Sequence, residues 1–143
     1  MNLQLIEQLA FGLRRAIEQL PRSVLPASLS WFPKGACGDA SLLLGAYLVD
    51  NGFSGFNYVC GERGNHDAGT WTTHAWVAKD ELVVDITADQ FSDAPAGVII
   101  ADPSLWHKTF TAYNTAPSDF REYSEPNIYE IAVLYERLRP VLF

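Results

Sequence analysis

The stretch FPKGACGDASLLLGAYLVDNG, residues 32–52, decides the fold. Pro33 and Gly35 are typical of a loop, and the apolar spacing that follows predicts a helix from Cys37 to about Asp50. Its apolar residues cover much of the helix circumference, which indicates a central, buried helix. These residues are Leu42, Leu43, Leu44, Ala46, Tyr47 and Leu48.

Two further helices and a set of strands surround this segment. An amphipathic pattern predicts a helix over residues 2–20, and a second predicts a helix over 127–138. Alternating or continuous apolar runs between them are typical of short strands. The predicted strands cover 56–60, 72–77, 82–86, 97–101 and 108–113, with polar loops at 61–70 and 114–126. This order predicts one α+β domain over 1–143, with the buried helix packed on an antiparallel sheet.

Composition narrows the class of protein. The chain has 143 residues, 48% of them hydrophobic, and a net charge of −7. The acidic balance disfavours nucleic acid and anionic membrane surfaces as partners. No apolar run approaches the ~20 residues of a membrane-spanning helix, and the N-terminus lacks the pattern of a secretory signal. We therefore expect a cytoplasmic protein, and two cysteines are too few for a disulfide scaffold.

Cys37 has the surroundings of a reactive thiol. It lies where loop becomes helix, beside Gly35 and Gly38, so unpaired backbone N–H groups and the positive end of the helix dipole are close. That environment favours the thiolate, which is the nucleophilic form. Lys34 acts in the same direction and Asp39 in the opposite one. The same N–H groups, including that of Gly38, could stabilise an oxyanion.

His74 and Asp85 are the second and third candidates. A turn at Lys79-Asp80 would make His74 and Asp85 direct cross-strand neighbours, with Cβ atoms ~4.5–5.5 Å apart. Trp76 would share their face of the sheet. A carboxylate there would fix the tautomer of the imidazole and direct its other nitrogen toward Cys37.

These three segments resemble the core of the transglutaminase-like cysteine enzymes, a superfamily with a papain-like fold. The resemblance rests on a Gly-Cys helix start, HAW at 74–76 and VDIT at 84–87, within residues 30–90. It implies Cys37 as nucleophile, His74 as general base and acid, and Asp85 as the orienting carboxylate. It also implies an acyl transfer, hydrolysis or deamidation through a thioester, on a protein or peptide substrate such as a glutamine side chain.

The oxyanion-hole residue and the exact family stay open. A Trp or a side-chain amide often completes this hole in the superfamily, and Trp31 and Gln90 are the candidates here. The hairpin between His74 and Asp85 is shorter than usual for the superfamily. A catalytically silent module that binds a protein or peptide in the same groove is the alternative function.

Other readings of the same residues carry less weight. Asp89 lies past the strand and is typical of a cap or turn, although it could replace Asp85 as orienter. Cys60 is interpreted as structural, with a Cys37–Cys60 disulfide as an alternative. The spacing of the cysteines and histidines does not favour zinc, so no metal and no cofactor is predicted. His66 and His107 are interpreted as surface or packing residues.

Overall fold

The computed structural model describes residues 1–143. Three helices and five strands make up the fold. The helices are Leu3–Gln19 (α1), Cys37–Asp50 (α2) and Ile128–Leu142 (α3), and the strands are Asn57–Arg63 (β1), Thr72–Lys79 (β2), Leu82–Asp85 (β3), Ile99–Ala101 (β4) and Thr111–Pro117 (β5). No helix has both the length and the apolar character needed to cross a membrane.

The five strands form one antiparallel sheet in the order β4-β3-β2-β1-β5. Helix α2 lies on one face, where its side chains pack against Val77 and Val84 in the main core. The opposite face carries a smaller cluster built on Trp76, Val83 and Phe110. The predicted α+β class and the buried helix on an antiparallel sheet are therefore confirmed.

Helix α2 begins and ends where the sequence predicts. Its central residues from Ala40 to Leu48 are buried almost without interruption. Gly45 is required at the point of closest approach, because a Cβ there would lie 2.0 Å from the carbonyl oxygen of Ser118. The N-cap Ala36 has no side chain that accepts a hydrogen bond, so the first-turn N–H groups have no side-chain cap.

Several predicted boundaries are wrong. The strand expected at 108–113 lies instead at Thr111–Pro117, because His107–Thr109 forms a short 3₁₀ helix. Strand β1 continues to Arg63, and α3 continues to Leu142 through Pro140. The last turn of α3 is held by tertiary packing, since the ring of Phe143 lies 5.4 Å from that of Tyr47.

The register of the β2–β3 hairpin corrects a second prediction. Its turn is Asp80-Glu81, and Lys79 faces Leu82 while Val77 faces Val84. Asp80 adopts a positive φ of 54°, a backbone conformation that aspartate tolerates in turns. The pairing is thus shifted by two residues from the expected one, so His74 and Asp85 are not directly opposite. A two-residue shift keeps every side chain on its expected face, because side chains alternate with period two.

Candidate active site

Cys37 is the first residue of α2 and is partly buried, and its thiol lies within hydrogen-bonding range of His74 and of the backbone of Ala75 in β2. Strand β2 pairs with β3 only from Val77 onward, so Ala75, two residues earlier in β2, has no partner in β3. Burial raises the pKa of the Cys37 thiol, but hydrogen bonding and the charge of His74 outweigh it. The backbone of Ala75 and the side chain of Gln90 act with His74, so the pKa lies below its ordinary value.

His74 and Asp85 form a buried hydrogen-bonded pair. The Nε2 atom of His74 lies 2.6 Å from Oδ2 of Asp85, and the two side chains are 0% and 1% exposed. With Nε2 bound to the carboxylate, Nδ1 is the ring nitrogen that remains for other partners, and Nε2 of Gln90 lies 3.1 Å from it. The structure therefore joins two of the three residues expected from the sequence, His74 and Asp85, by a direct hydrogen bond. Cys37 lies close enough to His74 for the imidazole to lower the pKa of its thiol, and its role as nucleophile stays a prediction.

A second imidazole binds the same carboxylate oxygen. Nε2 of His107 lies 2.7 Å from Oδ2 of Asp85, and Oγ of Ser104 lies 2.6 Å from Nδ1 of His107. The other carboxylate oxygen accepts the backbone N–H of Thr87 at 2.8 Å. His107 is only 4% exposed, so its assignment to surface or packing missed a buried polar contact with the site.

The protonation states of the pair follow from this network. Burial raises the pKa of Asp85, but hydrogen bonds from His107 and His74 outweigh it and bring the pKa down to about 2. Burial lowers the pKa of His74, but its bonds to Asp85 and Cys37 raise the pKa to about 9. At neutral pH the arrangement therefore favours an anionic Asp85 and an imidazolium at His74, next to a thiol whose own pKa is depressed.

Gln90 also lies at this centre. Its Nε2 is 3.1 Å from Nδ1 of His74, and its Oε1 accepts the backbone N–H of Gly35 at 3.4 Å. The side chain thus spans from the loop before Cys37 to the imidazole. The side chain also lowers the pKa of the Cys37 thiol through a hydrogen bond, so the amide borders both the imidazole and the thiol.

Aromatic rings enclose the His74 imidazole. Its ring centroid lies 5.0 Å from that of Phe91 and 5.8 Å from those of Trp76, Trp106 and Phe110. Such a wall excludes water and strengthens the electrostatic interactions inside it. Phe91 and Trp106 come from segments in which the sequence showed no motif, and only the fold reveals their position.

Trp31 and Gly38 are the remaining candidates from the sequence, and they flank Cys37 along the chain. Trp31 is 70% exposed, and its ring faces the guanidinium of Arg22 at 5.3 Å. Gly38 lies in the first turn of α2, where a Cβ would approach the Tyr58 hydroxyl to 3.4 Å. The role of either residue in an oxyanion hole stays a prediction.

The alternative readings are also located by the structure. Asp89 forms a salt bridge with Arg14 at 2.7 Å, which gives it a structural partner away from His74. Cys60 is a free thiol 3.0 Å from the Tyr113 hydroxyl, and Cys37 is free as well. His66 stacks on Trp71 in the loop.

One donor set could in principle hold a metal. One ligand atom each from His74, Asp85 and His107 lies within 4.8 Å of the others. The types suit zinc, but both imidazole Nε2 atoms already hydrogen-bond to the same oxygen. An ion would have to replace both N–H protons and separate the three groups, so the geometry fits a hydrogen-bond network better. Neither Cys60 nor His66 belongs to the set.

The chain was compared with protein-family models, with curated proteins and with solved structures, and none of the three comparisons found a match.

Proposed function

We propose that the chain is a cysteine-dependent acyl-transfer enzyme in which Cys37 is the nucleophile, His74 the general base and acid, and Asp85 the orienting carboxylate. The observation that carries the proposal is the 2.6 Å contact between Nε2 of His74 and the buried Asp85. It leaves Nδ1 for the thiol, whose pKa is depressed by the same imidazole. A buried carboxylate, an oriented imidazole and an activated thiol are the elements of nucleophilic catalysis.

The reaction would proceed through a thioester. The Cys37 thiol gives its proton to Nδ1 of His74, and the sulfur attacks the carbonyl carbon of an amide. The tetrahedral intermediate collapses when His74 returns that proton to the leaving amine, which breaks the C–N bond. A water molecule or a second amine then attacks the thioester carbon and gives its proton to His74, and the Cys37 sulfur leaves.

The oxyanion would be stabilised from two sides. The backbone N–H groups at the start of α2 face the developing charge from the helix, and no side chain caps them. The Gln90 amide lies on the imidazole side. Loss of a single donor of this kind typically lowers the rate 10²–10³-fold, so we expect the turnover of Gln90→Ala to fall by about that factor.

A cavity beside the first turn of α2 supports a peptide or side-chain substrate. A cavity of about 310 Å³ reaches Gly38, the residue that follows Cys37. Its walls combine apolar groups such as Leu42 and Ile128 with the amides of Asn114 and Asn127. Amide-bearing walls can hydrogen-bond an extended backbone or a glutamine side chain. We extend the proposal to a transglutaminase-like, papain-like fold, since the nucleophile begins a buried helix and its partners lie on adjacent strands.

The test uses the two cysteines as a matched pair. Cys37→Ala should abolish the turnover of amide substrates, whereas Cys60→Ala should retain it, because Cys60 lies on β1 with only Tyr113 as a side-chain partner. Reaction of Cys37 with iodoacetamide should be fast at pH 6–7, below the ordinary titration range of a thiol. If Cys37 reacts no faster than Cys60 across that range, the chain is better described as a silent binding module.

A further inference from the structure

Asp85 binds two imidazoles through one oxygen atom. Nε2 of His74 and Nε2 of His107 lie 2.6 and 2.7 Å from Oδ2, while Thr87 N–H occupies Oδ1 at 2.8 Å. A catalytic carboxylate that only orients one imidazole needs a single such bond. The second imidazole is nine-tenths buried or more and is not used by the mechanism above.

The tautomer of His107 is fixed by its neighbour. The carboxylate Oδ2 has no proton to give, so Nε2 of His107 donates to it and Nδ1 is left as an acceptor. Oγ of Ser104, 2.6 Å from Nδ1, therefore donates its hydroxyl proton there. The same Oγ accepts the backbone N–H of His107 at 3.3 Å, which holds the serine in place. Every polar atom in this chain of bonds has a partner.

We propose that Ser104 and His107 form a positioning pair that keeps Asp85 anionic and correctly oriented, and thereby fixes His74 with its Nε2 proton on the carboxylate and Nδ1 directed to Cys37. This inference rests on the proposed function, because its consequence is the reactivity of Cys37. His107 acts through Asp85 and does not touch the reacting atoms. The titratable groups that face His74 are Asp85 from β3 and Cys37 from α2, and those that face Asp85 are the two imidazoles.

An alternative hypothesis is that His107 activates Ser104 as a nucleophile, and the contacts of Ser104 argue against it. Ser104 is only 3% exposed, and its hydroxyl is committed to both the ring and the backbone of a residue three positions on. A cavity of about 350 Å³ does, however, reach Ser104 and His107 from the sheet face opposite α2. This opening gives a small solute access to the position of His107, which makes chemical rescue feasible.

The test measures the Asp85 carboxyl directly by carbon NMR in His107→Ala. Loss of one charge-assisted hydrogen bond should move the titration of Asp85 upward by about one pH unit. The nitrogen NMR signals of His74 should show a mixed tautomer, and the iodoacetamide rate of Cys37 at pH 6 should fall about tenfold, since the imidazole is no longer held. Imidazole added at millimolar concentration should restore all three measurements. His66→Ala, which changes the histidine in the loop, is the control and should change none of them.

Ser104→Ala covers the case in which His107→Ala does not fold. It keeps the second imidazole and should move the same observables in the same direction by a smaller amount. An Asp85 titration and a His74 tautomer that match the parent protein in the folded variants would overturn the inference, as would labelling of Ser104 by a sulfonyl fluoride. Should Cys37 prove unreactive in the parent protein, the proposed function fails, yet the NMR measurements still report whether His107 positions Asp85.

Discussion

Replacing Asp85 by asparagine tests the site at the two carboxylate oxygens, which together accept three hydrogen bonds. The asparagine keeps the volume of the side chain but turns one oxygen into an N–H₂ group, which must then face a donor: an imidazole Nε2–H on one side or Thr87 N–H on the other. Either His74 switches its proton to Nδ1, the nitrogen that must accept from Cys37, or a buried N–H group loses its acceptor. Both outcomes remove the general base in its working form.

The cost can be worked from the structure. The pKa of Asp85 is about 2, compared with its ordinary value of 3.8. At 1.36 kcal/mol for each pKa unit, its partners stabilise the charged form by ~2 kcal/mol. Removing one member of a buried charged pair costs about 3–5 kcal/mol, and asparagine retains some of the hydrogen bonds. We therefore expect Asp85→Asn to lower the free energy of unfolding by about 3 kcal/mol, and turnover to fall about 10⁴-fold.

Urea unfolding at pH 7, followed by tryptophan fluorescence, measures the first effect, and the rate of amide turnover by the folded variant measures the second. The pH profile of Cys37 alkylation reports in addition whether the imidazole still acts on the thiol. Asp89→Asn is the control. It makes the same chemical change four residues along the chain, in a salt bridge with Arg14. Because the Asp89 carboxylate is 39% exposed, this variant should lose less than about 1 kcal/mol of the free energy of unfolding. Equal losses in the two variants, or an unchanged alkylation profile in Asp85→Asn, would refute the reasoning.

The free energy of unfolding should also depend on pH, in a direction set by Asp85 and His74. It should depend as well on the absence of a side chain at Gly45. The contribution of Asp85 is present above its ordinary pKa of 3.8 and is lost as the pH falls toward 2, while that of His74 is present below 6.5 and is lost as the pH rises toward 9. The urea midpoint of unfolding should therefore be highest near pH 5. In His74→Gln the midpoint should fall less steeply above pH 6.5 than in the parent protein. A midpoint of the parent protein that rises between pH 6.5 and 9 would contradict this. Gly45→Ala should cost more than about 3 kcal/mol, because its Cβ would lie 2.0 Å from the Ser118 carbonyl oxygen, whereas Gly12→Ala meets nothing within 4 Å and should stabilise the protein by about 0.5–1 kcal/mol. Thermal melts of the two glycine variants compare them, and similar melting temperatures would count against the close approach.

The sequence predicts the central helix and the alternation of the hairpin because both depend on local patterns. Cys37–Asp50 has a loop signal before it and a turn signal after it, and its apolar run leaves little choice of structure. The face shared by His74 and Asp85 follows from the period of two along each strand. The register could not be deduced with the same certainty, because Lys79-Asp80 and Asp80-Glu81 are both plausible turns and only the backbone of Asp80 distinguishes them.

His107 lay beyond what the sequence could show for a different reason. It is separated from Asp85 by 22 positions, and the strand expected at 108–113 would have placed it at a strand end. Its position depends on the 3₁₀ turn that Ser104 initiates. A serine three residues before a histidine was the one local signal available. That signal indicates a role in the site only once the fold places His107 against the Asp85 carboxylate.

Asp85 connects the architecture of the sheet to the chemistry of the site. Its Oδ1 accepts the N–H of Thr87, two residues on, a local bond that turns the chain away and ends β3. Because β3 ends there, β2 has no β3 partner before Val77, and the backbone of Ala75 is available to the Cys37 thiol. Its Oδ2, meanwhile, binds both imidazoles. One carboxylate thus forms the local bond at the end of the strand and holds both imidazoles, and in the proposed function the same carboxylate orients the base.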